Sequence, residues 1–487
     1  MTTIQLIDVT LRDAHQSLWS TRMTNAMMAP YLTAIDRVGF HTVDLVGGAV
    51  FDVCVRYLRE DPWERMRMVT AKIRRTPVNV WLRGQSLFTF ELFPDDIVIA
   101  TIKHIAACGI RHITTYDALN DIRNVETSVR AGKQAGLGVT GAIVYTHSPV
   151  HTDEYYEARS RELIALGVDR LCIKDPSGLL KPERIRTLAP AVKSIAGTVP
   201  VELHSHCLSG LAPQVYIDAL EHGVHYYHTA TAPLANGASL PDVEGFVKEA
   251  RERGYEVEVD DAGLRDMATY FRWVAQREGK PLGRQAQYDP AIYEHQVPGG
   301  MISNLRTQLA MANLENRFGE VLREVARVRK DLGYPIMVSP FAQFLITQAT
   351  INVVQGERYR TVPDELKKYA LGHYGRPAAP MDPEFLDRAT AGAQPITEPP
   401  GKRLPPALPR IRAERGPFRD NGDMLLASYY DDQLRNTVLP AGTSGLRPLR
   451  FSTSPLLELL DYLGTDTALH HARIRVRDFE VTAAGGA

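Results

Sequence analysis

The chain has 487 residues, with 56 basic and 57 acidic side chains and a formal net charge of −1. That balance gives no electrostatic reason to bind nucleic acid or an anionic membrane surface, and no apolar run approaches the roughly 20 residues a membrane helix needs. The length exceeds one barrel domain of about 250–300 residues, so more than one unit is expected. Cys54, Cys108, Cys172 and Cys207 form no CxxC pair, which predicts reduced thiols and neither disulfides nor a zinc ribbon. With no basic and apolar leader before the first strand-like run, a cytoplasmic protein is expected.

In chain order, apolar strand-like runs occur at 5–9, 42–46, 78–82, 112–116, 139–144, 170–173, 199–203 and 226–230. Amphipathic helical stretches separate them, among them 95–107, 122–135, 155–166 and 181–196. Strand and helix in alternation predict a parallel sheet, and eight repeats predict an α/β fold, a (β/α)8 TIM barrel over residues 1–300. From about 260 to 386 the apolar spacing turns largely helical, as at 318–332 and 342–354. This predicts a mostly helical C-terminal region, with an extension over 301–390. A Pro/Gly-rich stretch at 391–409 and a helical segment at 423–436 make 391–440 a linker and strap. The tail, 441–487, carries a basic β-like segment at 472–482 and is a candidate docking element for a partner.

Barrels of this kind carry their active sites at the C-terminal strand ends. There this sequence places Arg12 and Asp13, Gly47 and Gly48, Arg83, the run 117–121, Lys174 and Asp175, and His204-Ser205-His206. Alternation along a strand turns both histidines of the last triplet to one face, where two imidazoles can grip one ion. With Asp13 they form an oxygen and nitrogen donor set suited to Zn²⁺, Mn²⁺ or Co²⁺. Lys174 is the anomaly, because an ammonium is repelled by a cation. It must point away, pair with Asp175, or be modified into an anion.

The strings RDAHQS (12–17), GGAVFD (47–52), LRG (82–84), DALND (117–121), CIKDPSGLLKP (172–182), HSH (204–206) and PGGMISNL (298–305), in that order and spacing, resemble the carboxyltransferase component of biotin-dependent enzymes. That family comprises the pyruvate carboxylase, oxaloacetate decarboxylase and transcarboxylase enzymes. The segment 347–380 is especially similar to the decarboxylase branch, and the resemblance runs to about residue 440. It implies that Lys174 is carbamylated and binds the metal with Asp13, His204 and His206; a carbamate is an anionic oxygen ligand, which removes the anomaly. It further implies that Arg12, Gln16 and Arg83 hold a 2-oxo acid, for which an arginine fork is suited. Ser339, where the family usually has a threonine, would pass a proton between the acceptor and the biotin ureido nitrogen.

Four departures stand out. Val46 replaces a tryptophan, Val50 a threonine, Cys207-Leu208 polar residues, and His228 the aspartate of a DTA motif. They leave two readings open, a pocket enlarged for an acceptor bulkier than pyruvate or compensated repacking around it. No Met-Lys pair of the biotin-attachment type occurs, and no lysine follows Lys402. The resemblance therefore implies that biotin sits on a separate carrier protein, with a biotin carboxylase subunit and a small 2-oxo acid as the other partners, and a homo-oligomer is expected. A biotin-independent lyase of the hydroxymethylglutaryl-CoA lyase type and an inactive scaffold in a carboxylase complex are the alternatives.

Overall fold

The computed structural model describes residues 3–311, 313–439 and 449, together with the two tail strands. Eight parallel strands close into a barrel: β1 (Thr3–Asp8), β2 (Thr42–Val46), β3 (Val78–Leu82), β4 (His112–Tyr116), β5 (Gly138–Val144), β6 (Arg170–Asp175), β7 (Val201–Ser205) and β8 (Tyr226–Thr229). Neighbours follow chain order, and β8 and β2 both pair with β1. The expected barrel is thus present. Its strands are buried on both faces, as helices outside and side chains inside require. A short β9 (Glu256–Val257), not expected from the sequence, pairs parallel with the start of β1.

Two strand ends differ from the sequence reading by lengths that matter for chemistry. β6 continues through Lys174 to Asp175, and β7 starts later and runs through His204 to Ser205. Polar residues at strand ends score as loop by propensity, yet the barrel ladder holds them. In that ladder Lys174 lies directly opposite His204.

Past the barrel the helices Gly299–Met311, Phe318–Asp331, Phe341–Gln355 and Asp364–Ala370 gather a second apolar core that includes Leu305, Val325, Val328, Leu345 and Leu366. Buried Arg329 ties it to the barrel rim, donating from Nη1 to the His147 carbonyl (3.1 Å), from Nη2 to Thr146 Oγ1 (3.0 Å) and from Nε to the Pro335 carbonyl (3.0 Å). Ile336 then plugs into a small cluster with Trp81, Tyr116, Ala142, Val144 and Cys172 at the barrel mouth. That contact delivers the next residues, Met337 to Ser339, to the rim.

The strap folds back onto the barrel. Leu425, Leu426, Tyr430 and Val438 join the barrel core, and Trp63 Nε1 donates to the Gly422 carbonyl at 3.1 Å. The expected single helix at 423–436 is two helices, Asn421–Tyr429 and Asp432–Arg435, because Asp431 caps the second through the Leu434 N–H. The linker also contains a helix, Leu408–Arg415. In the tail, His471–Val476 and Phe479–Ala484 form an antiparallel pair; the docking role expected there rests on residues that lie largely outside the described ones. Among the described residues no helix is long and apolar enough to cross a membrane, and all four cysteines are free and buried.

One buried ion pair anchors the rim loops. Arg65 Nη2 lies 2.5 Å from Glu60 Oε2, and Arg65 Nε donates to Asn25 Oδ1 at 2.9 Å. Glu60 also accepts the Asn25 backbone N–H at 2.9 Å. Arg65→Met strands that carboxylate without its cation and is expected to cost about 3–5 kcal/mol. Thermal unfolding should show a midpoint lowered by at least about 5 °C; an unchanged midpoint would contradict the anchoring role.

Candidate active site and metal centre

After β1 the chain makes a wide turn, Thr10–Ala14, in which the Ala14 N–H reaches back to the Val9 carbonyl (3.1 Å). Such i to i+5 turns often occur at functional sites. This one points both Arg12 and Asp13 into the barrel mouth, where each is at most 4 % exposed. Asp13 Oδ2 lies 3.3 Å from His204 Nε2, and Asp13 Oδ1 lies 3.6 Å from His206 Nε2. The two imidazole Nε2 atoms are 3.3 Å apart, and Lys174 Nζ is 3.4 Å from His204 Nε2.

Those separations pass a simple fit test. Donors held about 2.0–2.2 Å from one ion at a tetrahedral angle lie about 3.4 Å from each other. His206 Nδ1 donates to the Ala238 carbonyl at 2.7 Å, which leaves Nε2 with its lone pair free for a ligand and fixes the ring. Burial, and then the Lys174 ammonium, push His204 well below the usual imidazole range, which favours its neutral, metal-binding form. Burial opposes ionisation of Asp13, but Arg12 and the two imidazoles outweigh it and hold the carboxyl well below the usual range. The residues present therefore suit a divalent transition ion.

Lys174 resolves two of the three options left by the sequence. It does not point away, since its side chain is buried among Trp81, Tyr116 and His204, with Nζ 4.9 Å from the Trp81 ring centre and 5.8 Å from that of Tyr116. Nor does it pair with Asp175. That carboxylate turns to the other side of β6 and accepts from the Leu179 and Leu180 N–H groups (2.9 and 2.8 Å) and from Ser205 Oγ (2.8 Å). Burial lowers the Lys174 ammonium from its ordinary value, with Asp13 opposing and Arg12 assisting. A neutral amine is the form that can take up CO₂.

Arg12, Asp13, Gln16, Arg83, Lys174, His206 and Ser339 all line one cleft of about 290 Å³, together with Trp81, Tyr116, Leu208 and Met337. Gly47 and Gly48 allow both arginines to lie flat on the end of β2. A Cβ on Gly47 would sit 2.9 Å from Arg12 Nε, and one on Gly48 2.6 Å from Arg83 Nη1 and 2.8 Å from the Phe88 carbonyl. Arg83 Nη1 is held by the Thr89 carbonyl at 2.9 Å. Arg12 Nε and Arg83 Nε are buried donors without partners, the condition expected of guanidinium groups that await an anion. Ser177 Oγ donates to the Met337 carbonyl at 3.3 Å, steadying the segment that carries Ser339.

The departures noted in the sequence do not all reach this cleft. Val46 and Val50 are fully buried in the barrel core and are not among the residues that line the cleft. Leu208 does line it. An indole stands in the cleft after all, supplied by Trp81 from β3. The sequence reading missed this residue, although Trp81 has the same strand parity as Arg83 and alternation could have placed both on the inner face.

His228 belongs to a buried network below the ligands. Its Nε2 lies 3.2 Å from Glu202 Oε2, whose other oxygen is 3.1 Å from Arg170 Nη1, and its Nδ1 lies 3.8 Å from Asp44 Oδ2. Burial disfavours the imidazolium, but hydrogen bonds to Asp44, Cys172 and Glu202 prevail and raise His228 well above its ordinary value. Cys172, Glu202 and His228 also converge, but the Arg170 guanidinium already neutralises the only carboxylate among them, which makes the trio a poor cation site.

Comparison with known proteins agrees with this geometry. Residues 292–438 match the family model described as conserved carboxylase domain. The chain is 40 % identical over 432 residues to a pyruvate carboxylase subunit of Methanocaldococcus jannaschii, covering 88 % of this chain and 76 % of that one. It is 34 % identical over 386 residues to the 2-oxoglutarate carboxylase large subunit of Hydrogenobacter thermophilus, covering 79 % and 59 %. The carboxyl transferase domain of Rhizobium etli pyruvate carboxylase, solved with oxamate and biotin, superposes with a TM-score of 0.83 at 26 % identity, covering 91 % of this chain and 78 % of that domain. Barrel, cleft and kinship together place the chain in the carboxyltransferase family of biotin-dependent carboxylases.

Proposed function

We propose that this subunit moves a carboxyl group between biotin on a separate carrier protein and a small 2-oxo acid, with Asp13, His204, His206 and a carbamylated Lys174 holding one Zn²⁺, Mn²⁺ or Co²⁺ ion. The single observation that carries this reading is the cleft. Two guanidinium groups with unpartnered buried N–H donors, Asp13 and His206 with His204 converging on them from the barrel interior, and the Ser339 hydroxyl meet at one cleft of about 290 Å³. The carrier and a biotin carboxylase subunit are its partners in a cytosolic complex that contains several copies of this chain.

Arg12 and Arg83 clamp the acceptor carboxylate with their free N–H groups, and the Gln16 amide completes the grip. The bound ion would supply a Lewis acid for the acceptor's ketone oxygen. The buried Lys174 Nζ, in its deprotonated form, attacks CO₂ and releases a proton, and becomes a carbamate that donates through oxygen. Carboxybiotin breaks its N–CO₂ bond and releases CO₂; Ser339 Oγ takes a proton from the carbon next to the ketone while its own proton passes to the ureido nitrogen so freed, and the enolate carbon then forms its new bond to that CO₂. Arg12 stands where the enolate develops its charge, a preorganised arrangement that contributes several kcal/mol to such steps, and an ion held by Asp13, Lys174, His204 and His206 would add to it. The reverse sequence decarboxylates.

Ser339→Ala separates this mechanism from a biotin-independent lyase. Transfer with a purified biotinyl carrier should fall by about 10²–10⁴-fold, the usual contribution of a positioned proton carrier. Metal content and biotin-independent oxaloacetate decarboxylation, which need only the arginines and the ligand set, should change by less than about threefold. Transfer at the wild-type rate would remove Ser339 from the mechanism and favour the lyase.

A further inference from the structure

From the placement of its indole we infer that Trp81 sets the size limit of the acceptor. The inference rests on the reading of the cleft as a 2-oxo acid site and adds which acids it takes. The indole lies under Arg12, which would hold the acceptor's carboxylate, and under Lys174, which belongs to the ligand set. Arg12 Cζ stands 4.7 Å from its ring centre and Lys174 Nζ 4.9 Å, while Tyr116 closes the next side at 6.2 Å between ring centres. An acceptor clamped by Arg12 and turned toward the ligand set therefore has its carbon chain bounded by this ring.

A wall limits size only if it cannot swing aside, and Trp81 is locked. Its Nε1 donates to Asp44 Oδ2 at 2.6 Å, and Asp44 Oδ1 accepts from Asn79 Nδ2 at 2.6 Å. Behind Asp44 stands His228, 5.8 Å from the indole by ring centres, braced by Glu202 and Arg170. Trp81, Asp44 and His228 are each at most 1 % exposed. Rotation of the ring would break the bond from the indole N–H to Asp44 Oδ2 and leave that N–H without its partner in the barrel interior, a loss that buried polar groups resist. His228 at the end of β8 and the indole on β3 thus act as one unit that braces and forms the wall, and the acceptor is pyruvate or a molecule of similar size.

Calorimetric titration of the full metal-loaded chain with pyruvate, 2-oxobutyrate, 2-oxovalerate and 2-oxoglutarate tests this without a biotin partner. Wild-type protein should bind pyruvate and lose at least about tenfold in affinity by 2-oxovalerate, the scale of discrimination a closed apolar wall provides. Trp81→Leu should shrink the pyruvate preference over 2-oxovalerate by about tenfold or more. Trp81→Phe, which keeps a ring and disturbs packing less, should admit 2-oxobutyrate and still reject 2-oxovalerate, so the test survives a Leu variant that does not fold. Wild-type binding of 2-oxovalerate or 2-oxoglutarate as tight as that of pyruvate overturns the inference alone, as does a preference that Trp81→Leu and Trp81→Phe leave unchanged. Failure of wild-type protein to bind any 2-oxo acid overturns the functional reading itself, and this inference with it.

Discussion

His204→Ala and His206→Ala are each expected to lower metal content from about one ion per chain to near zero and to reduce turnover by at least about a thousandfold. A Lewis acid contributes several kcal/mol to such a step, and each 1.4 kcal/mol is a factor of about ten. The two variants differ in their structural cost. His204 is fully buried between Trp81, Lys174 and His228, so its loss also leaves a cavity. His206 sits at the edge of the cleft and its ring is held chiefly by the Ala238 carbonyl. His206→Ala is therefore the cleaner test. Elemental analysis that finds full occupancy in His206→Ala would remove it from the ligand set.

Lys174→Ala should be equally damaging for a different reason. An unmodified ammonium 3.4 Å from His204 Nε2 would oppose a cation in a site of low dielectric, at a cost of several kcal/mol. Carbamylation converts that opposition into a ligand. The variant should lose activity by about a thousandfold or more, and short carboxylic acids such as acetate or propionate should restore part of it by occupying the vacated oxygen position. Mass spectrometry of gently handled protein should show an additional CO₂ on the peptide bearing Lys174. A crystallographic map with a bare lysine beside a bound ion would refute the assignment.

Much of the molecule was legible from its residues, and the reasons are physical. Eight apolar runs separated by amphipathic helices have few solutions other than a closed parallel barrel, and the structure has that barrel. The candidate ligands could be ordered around its rim because parallel strands put all their C-terminal ends on one side. Asp13, Lys174, His204 and His206 meet there. Only the ladder, however, set Lys174 opposite His204, since strand register depends on closure of the whole barrel and not on local propensity.

What the sequence determined by itself was periodicity, the order of the strands, and the chemical types at each strand end. What tertiary structure decided was direction. Val46 and Val50 carry the same sequence signal as Leu208, a polar or bulky side chain exchanged for an apolar one, yet packing buries the first two in the core and leaves the third in the cleft. Trp81 carries no motif, but barrel curvature brings it beneath Arg12 and Lys174. Ser339, more than a hundred residues past β8, reaches the cleft only because Ile336 packs into the barrel mouth and Arg329 ties its helix to the rim. Long-range contacts of this kind depend on three-dimensional closeness between residues far apart in the chain, which no local pattern in the sequence encodes.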